Sequence, residues 1–247
     1  MTRYKWVILG VIGTMFAASL WMSLFSFVES IPTALQSGGL PVIIIDPGHG
    51  GLDGGAVGVD NIVEKNINLS LALILRDIFE VNGFRVIMTR TEDVSIHDEG
   101  LKGVRKQKTS DLRNRLKIVN AHPNAILISV HQNKFGESSS KGTHVFYSPN
   151  NPNSQRLAKI LQDGYVANLQ PDNKRVEKVA GKNLYLMTQA TCPGVLVEYG
   201  FLSNSGEAHR LLDQEYQAQL AFSTFCGVME FLELDQPLTL VTETLIK

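Results

Sequence analysis

The pattern of apolar and polar positions predicts alternating strands and helices from residue 41 onward. Runs typical of strands lie at residues 42–45, 84–89, 125–130, 143–148, 184–187 and 195–197. Apolar side chains at helical spacing predict four helices, at residues 64–81, 111–121, 154–169 and 216–234. Since strands and helices alternate as in βαβ units, we predict an α/β fold. It is a mostly parallel mixed sheet of about six strands with helices on both faces.

The first thirty residues differ from the rest because residues 6–28 carry no charged side chain. These 23 positions suffice for a helix to cross a bilayer core of about 30 Å. Arg3 and Lys5 precede the segment, which places the amino terminus in the cytoplasm and the later residues outside. A cleaved signal peptide is the alternative, with small residues at 17–19 near a cleavage site.

These features divide the chain into four parts. We predict a membrane anchor or signal segment at 1–30, a linker at 31–40, one domain at 41–235 and a tail at 236–247.

Charge and cysteine content argue against two classes of protein. The formal net charge is -1, so the chain lacks the basic footprint of a nucleic-acid-binding protein. Cys192 and Cys226 are too few for a disulfide framework and do not form a CxxC motif. The run at residues 102–108 is basic, and we predict a solvated loop there, before a helix capped by Ser110.

Three of the predicted strands lead directly into a residue with catalytic chemistry. His49 lies in a turn, residues 46–55, that contains five glycines and follows the first strand. His131 follows the strand at 125–130, and Glu198 follows the strand at 195–197. Because ligands bind at the carboxyl ends of parallel strands, we expect these side chains to meet at one sheet edge.

Glu64 is a further candidate, at the amino end of the first predicted helix and one turn before Ile67 on its apolar face. Its carboxylate is either a partner for the helix dipole or a metal ligand. Zinc hydrolases use three nitrogen or oxygen ligands, and a separate carboxylate moves the proton. Two histidines and one or two glutamates at one edge therefore indicate a catalytic zinc site.

Six segments together resemble the zinc-dependent N-acetylmuramoyl-L-alanine amidases of the amidase-3 type. They are DPGHGGLDGGAVG (46–58), Glu64 with its helix, DLRNRLKIVNA (111–121), SVHQN (129–133), GTHVFY (142–147) and CPGVLVEYGFLSN (192–204). The resemblance runs over about residues 42–232. It implies that His49, Glu64 and His131 bind Zn²⁺ and that Glu198 is the general base and acid.

Within this family the chain is similar to the spore-cortex, germination-specific members, which place one catalytic domain behind a membrane segment. That similarity implies a peptidoglycan substrate, from which the enzyme removes the peptide before another enzyme forms muramic-δ-lactam. It also implies a location outside the cytoplasm, such as the forespore intermembrane space. Whether a lipoprotein-like partner activates the enzyme stays open.

Two alternatives remain at this point. A catalytically silent wall-binding or regulatory module on the same fold has no need for a carboxylate that does not bind metal, so the presence of Glu198 argues against it. A zinc carboxypeptidase-like peptidase fits the chemistry. The glycine-rich DPGHGG turn and the VLVEYGF segment favour the amidase.

Overall fold

The computed structural model describes residues 39–234. The apolar segment at residues 6–28 and the predicted tail at 236–247 lie outside the described residues. Within residues 39–234, no helix has the length and apolar character needed to cross a membrane.

Within the described residues, six strands form one mixed sheet. They are β1 (Ile43–Pro47), β2 (Val86–Met88), β3 (Ile126–Asn133), β4 (His144–Tyr147), β5 (Lys178–Val179) and β6 (Gly194–Phe201). Their order across the sheet is β2-β1-β3-β6-β4-β5. Every neighbouring pair is parallel except β4 and β6, which are antiparallel. The predicted mostly parallel mixed sheet is confirmed.

Helices cover both faces of this sheet. They are α1 (Glu64–Val81), α2 (Val104–Asn120), α3 (Asn153–Asn168), α4 (Tyr185–Gln189), α5 (Ser205–Arg210) and α6 (Gln214–Leu234). On one face, Ile44, Leu127 and Leu196 pack in one buried cluster with Val119 of α2 and Met187 of α4. On the other face, α1 packs against β1 and β3, while α6 packs across α1 and α3. Burial of these apolar side chains stabilises the sheet between its two helical layers.

Two predicted elements were wrong. Residues 184–187 were expected to form a strand, but Tyr185–Gln189 is one short helix, because a brief apolar run fits either element. The sixth strand is instead Lys178–Val179, an exposed edge strand without a burial pattern. The predicted loop at 102–108 was also wrong in part, since α2 begins at Val104. Ser110 therefore lies inside that helix, where its hydroxyl bonds Asp98.

The register of β3 and β6 places the candidate residues next to each other. Both strands continue past their predicted ends, so His131 and Glu198 lie within the ladder and are paired across it. β1 pairs with β3 on the other side, with Pro47 opposite Val130. The turn that carries His49 therefore begins beside His131.

Candidate metal centre and active-site cleft

The structure brings His49, Glu64 and His131 together. One ligand atom from each side chain lies within 4.8 Å of the other two. Glu64 sits between the rings, with His49 Nε2 at 3.2 Å from Oε2 and His131 Nδ1 at 3.0 Å from Oε1. Two imidazole nitrogens and one carboxylate oxygen match the donor set of catalytic zinc sites. These residues fit the metal that the sequence predicts.

Glycines in the turn after β1 allow this close approach. A Cβ atom at Gly48 would overlap the imidazole ring of His131. A Cβ atom at Gly55 would lie 2.5 Å from Glu64 Oε2, and Gly55 has a φ of +71°. Glycine is therefore required at both positions by space, and at Gly55 also by backbone conformation.

Two buried arginines hold the backbone around His49. Arg115 donates from Nη1 to Pro47 O at 2.8 Å and from Nη2 to His49 O at 2.7 Å. Arg90 donates from Nη2 to Gly48 O at 3.0 Å. His49 has a φ of 64°, a left-handed conformation that costs a residue with a Cβ about 1–2 kcal/mol. The arginine contacts offset this strain and fix where the imidazole projects.

Asp46 anchors the arginine that clamps the turn. Its carboxylate accepts hydrogen bonds from Thr89 Oγ1, Ser129 Oγ and Arg115 Nη1, each at 2.7 Å. Burial opposes its ionisation, but Arg115 and the two hydroxyls outweigh burial and lower the pKa of Asp46 to about 2. Asp46 therefore acts on the turn through Arg115 and contacts neither histidine ring directly within residues 39–234. Arg115 and Asp46 form a buried ion pair.

The first turn of α1 fixes Glu64. Its Oε2 accepts a hydrogen bond from the backbone N–H of Ala56 at 2.7 Å, and its Oε1 accepts one from Gln132 N at 3.2 Å. Burial opposes ionisation, but the bonds from His131 and His49 hold the pKa of Glu64 well below its usual value. The carboxylate is therefore ionised and oriented toward both rings.

Asp53 contacts the His49 ring, and Lys108 contacts Asp53. The sequence pattern did not identify either residue as part of the site. Asp53 Oδ2 lies 2.9 Å from His49 Nδ1 and 2.9 Å from Lys108 Nζ. Burial lowers the pKa of His49, but the contacts with Asp53 and Glu64 raise it to about 9 overall. With Nδ1 bonded to Asp53, Nε2 is the ring atom that points to Glu64. The one available signal was an aspartate four residues after the histidine.

Glu198 lies beside this cluster with an unused carboxylate atom. Its Oε2 is buried and has no hydrogen-bond partner among residues 39–234. Burial raises the pKa of Glu198 to about 7; the nearby Glu64 carboxylate adds to this increase, while His131 and His49 act against it. Buried polar atoms without partners are rare in folded proteins and often mark functional sites.

A cleft of about 290 Å³ contains all four candidate residues. Tyr185 and Met187 of α4 form part of its wall, so the element that the sequence misassigned lines the site. The three donors and Glu198 therefore line one shared space, and a hydrolytic metal site needs such space for water and substrate beside the metal.

Comparison with known proteins assigns this site to a family. A family model described as N-acetylmuramoyl-L-alanine amidase matches residues 43–230. The chain belongs to the amidase-3 family. It is therefore an N-acetylmuramoyl-L-alanine amidase, an enzyme that acts on peptidoglycan. Because peptidoglycan is the substrate, its action is extracytoplasmic.

Individual relatives agree with the family assignment. The chain is 38% identical over 190 residues to the germination-specific N-acetylmuramoyl-L-alanine amidase of Bacillus subtilis (strain 168), covering 77% of this chain and 79% of that protein. The CwlD amidase of Clostridioides difficile, solved in complex with the GerS lipoprotein, is 35% identical with a TM-score of 0.76, covering 79% of this chain and 100% of that one. An N-acetylmuramoyl-L-alanine amidase from Clostridium difficile 630 is 26% identical with a TM-score of 0.68, covering 79% and 98%.

The family decides between the alternatives left open by the sequence. Its members are named for cleavage of an amide, which favours an amidase over a silent wall-binding module or a carboxypeptidase-like peptidase. The predicted family is confirmed. The roles of His49, Glu64, His131 and Glu198 remain predictions, supported by their geometry.

Proposed function

We propose that this amidase is zinc-dependent and hydrolyses the amide between N-acetylmuramic acid and L-alanine in spore-cortex peptidoglycan. The observation that carries the proposal is the convergence of three zinc-type donors in one cleft with a buried carboxylate oxygen that has no hydrogen-bond partner among the described residues. A zinc-dependent amide hydrolase uses both parts, because the metal activates the reactants and the carboxylate moves the proton.

In this proposal His49, Glu64 and His131 hold the zinc ion. When bound, zinc supplies Lewis acidity, which polarises an amide carbonyl and acidifies water. The chain contributes orientation: Asp53 fixes the His49 ring, the amides of Ala56 and Gln132 fix Glu64, and the cleft limits the approach of the substrate.

Glu198 is the proposed general base and acid. Its carboxylate takes a proton from the attacking water and delivers it to the departing nitrogen of L-alanine. A pKa of about 7, raised by burial, lets one group accept and then donate a proton near neutral pH. Oε2 has no competing partner among the described residues, so it is available for this transfer.

Glu198→Gln tests this role directly. The amide has nearly the same shape but cannot accept the proton, so kcat should fall by at least about 100-fold, the usual contribution of general acid–base catalysis. Zinc content, measured by atomic emission, should stay at one ion per chain, because Glu198 is not a proposed ligand. Retained turnover in this variant would remove Glu198 from the mechanism.

The biological setting is proposed from the relatives. One is named as germination-specific, and another was solved in complex with a lipoprotein. We place this chain in the spore cortex, where peptide removal would precede muramic-δ-lactam formation by a second enzyme. The apolar segment at residues 6–28 would hold the catalytic domain at the outer side of a membrane, and a lipoprotein-like partner would assist the reaction.

Expression in a spore former that lacks its own cortex amidase tests the setting. The chain should restore muramic-δ-lactam to digested cortex, as read by mass spectrometry of muropeptides. Wild-type amounts of zinc and amidase activity in vitro, without restored lactam, would contradict the cortex assignment and leave the amidase assignment intact.

A further inference from the structure

A second cavity, of about 540 Å³, lies beside the start of β4. Its walls come from the loops at 139–142 and 169–175 and from helices α5 and α6. Four of the lining residues are cationic: Lys141, Lys174, Arg175 and Arg210. Within residues 39–234, none of these four forms an ion pair with a carboxylate.

Both arginines of this cationic cavity are held in place by other contacts. The Arg175 guanidinium lies 4.5 Å from the centre of the Phe201 ring, and its Nε donates to Lys141 O at 3.2 Å. The Arg210 guanidinium lies 3.8 Å from the centre of the Tyr216 ring. The terminal nitrogens of both have no hydrogen-bond partner in the described part of the chain. Each arginine is thus a fixed fork with free donors, the arrangement that binds carboxylates.

The two acidic residues of the cavity do not cancel this charge. Glu207 accepts hydrogen bonds from the backbone N–H groups of Gly142 at 2.8 Å and Phe201 at 2.7 Å, so both of its oxygens are used. Asp172 is exposed. Four cations against two carboxylates leave a net positive cavity, which favours an anionic ligand.

The floor of the cavity is rigid. The side chain of Asn173 is buried and donates to Thr143 O at 2.8 Å, while Gln170 Nε2 donates to Tyr216 Oη at 3.0 Å. A Cβ atom at Gly142 would lie 2.7 Å from Asn173, so glycine lets the loop close on this floor. A rigid floor keeps the cationic groups in place before a ligand arrives.

The register of the sheet connects this cavity to Glu198. His144 of β4 is paired with Glu198 of β6, and paired residues project on the same face. Lys141 lies three residues before His144, and Phe201, under Arg175, lies three residues after Glu198. Phe201 is the last residue of β6, so at about 3.3 Å per residue it lies at most about 10 Å along that strand from Glu198. An extended peptide spans about 3.5 Å per residue, so about three residues of a peptide stem cover this distance.

We propose that the cationic cavity binds a carboxylate of the substrate's peptide stem while the muramoyl amide lies at Glu198. This inference rests on the proposed function of the cleft. The cavity is then a specificity site, which distinguishes stems with free carboxylates from stems in which they are amidated.

Two synthetic muramoyl peptides test this with the full-length chain. They differ only in whether the stem carboxylates are free or converted to carboxamides. The wild-type enzyme should have a KM about tenfold lower for the free acid, as expected for a charge-assisted contact. In the double variant Arg175→Gln/Arg210→Gln, the KM for the acid should rise to that for the amide. Neither kcat nor the KM for the amide should change.

Arg85→Gln is the matched control, because Arg85 is an exposed arginine just before β2 at the opposite end of the sheet. It should leave both KM values unchanged. Equal KM values for the two substrates in the wild-type enzyme would overturn the inference. Cleavage of both substrates would still support the amidase reaction. Failure to cleave either substrate would instead contradict the proposed function.

Direct binding gives a readout that does not need turnover. Calorimetry with the free stem peptide should show binding to the wild-type chain and about tenfold weaker binding to the double variant. If the double variant does not fold, Arg210→Gln alone is measured, with its thermal midpoint as the folding check. Equally tight binding of inorganic phosphate and of the stem peptide would overturn the proposal, because the cavity would then be a general anion site.

Discussion

The imidazole of His49 is positioned by contacts at both ring nitrogens and along its backbone. Asp53 lies against Nδ1, Glu64 lies against Nε2, and Arg115 binds the carbonyl oxygen. Carboxylates that bond the outer nitrogen of a ligating histidine fix its tautomer and raise its basicity. Asp53 therefore belongs to the metal centre although it is not a proposed ligand.

Replacing Asp53 by Asn should weaken zinc binding without preventing it. Loss of such a carboxylate typically costs about 10–100-fold in metal affinity. A competition titration against a chelator measures this effect. Asp93→Asn is a control, since Asp93 is also an acidic residue that contacts this loop, through Gly51 N and Lys65. Equal zinc affinity in wild type and Asp53→Asn would contradict the positioning role.

The buried Asp46–Arg115 pair should make stability depend on pH in acid. The pKa of Asp46 is lowered from 3.8 to about 2 in the folded protein, so its stabilising charge is complete above the unfolded value. That contribution, about 2 kcal/mol, should be lost as the pH falls from about 4 to about 2. Asp46→Asn should lower the thermal midpoint at pH 7 and flatten its dependence on pH over this range.

The control for that experiment is Asp77→Asn. Asp77 is exposed on α1 and pairs with the neighbouring Arg76, so its loss should change little. If the thermal midpoints of wild type and Asp46→Asn change in parallel with pH, the ionised Asp46 carboxylate does not contribute to the pH dependence of stability.

At the scale of elements, the turn between β1 and α1 determines whether the donors can meet. Gly55 combines a φ of +71° with a site where a Cβ atom would collide with Glu64. Gly55→Ala should therefore displace Glu64 and reduce zinc affinity at least about tenfold, as loss of a contact that orients a ligand does. Zinc titration measures the effect.

Gly100→Ala separates backbone strain from collision. Gly100 has a similar φ of +78°, but no atom of the described part of the chain lies within 4 Å of where its Cβ atom would be. This variant should lose about 1–2 kcal/mol of stability from strain and keep its zinc affinity. If both alanine variants bind zinc with equal affinity, a steric collision between residue 55 and Glu64 does not control the metal site.

The same scale shows which elements the sequence could predict. β1, β3 and β6 were predicted because buried strands in a parallel sheet have continuous apolar runs. α4 was missed because five residues are too few for a helical period, and β5 because an exposed two-residue strand has no apolar signal. Both misassigned elements lie outside the three strands that carry the site.

At the scale of the whole molecule, the site residues that the sequence predicted lie at strand ends or helix starts, where a local pattern marks them. The site residues that it did not predict reach the site through contacts between segments far apart in the sequence. His49, His131 and Glu198 follow from strands that meet at one edge, and Glu64 from family resemblance. Lys108 reaches Asp53, and Arg115 reaches His49, across more than fifty residues of sequence. No periodic pattern encodes such contacts, so only the assembled fold reveals them.

The net charge of the sequence also differs from the local charge that the fold creates. The formal net charge of -1 excludes a basic footprint for the chain as a whole. Folding nevertheless collects four cations from three separate segments into one cavity, where none of them forms an ion pair with a carboxylate within residues 39–234. Average charge therefore argues against nucleic acid as a ligand and does not reveal this local cluster of cationic side chains.

The central claim is that His49, Glu64 and His131 hold a zinc ion that the amidase reaction needs. Its most direct test is the zinc content of purified chain, wild type and His131→Ala, measured beside digestion of muropeptides read by mass spectrometry. We predict one zinc per chain in the wild type, with free peptide and peptide-free muramyl glycan as products, and loss of both zinc and products in the variant. Folded wild-type protein that cleaves the amide without zinc, or a variant that keeps both, would contradict the account.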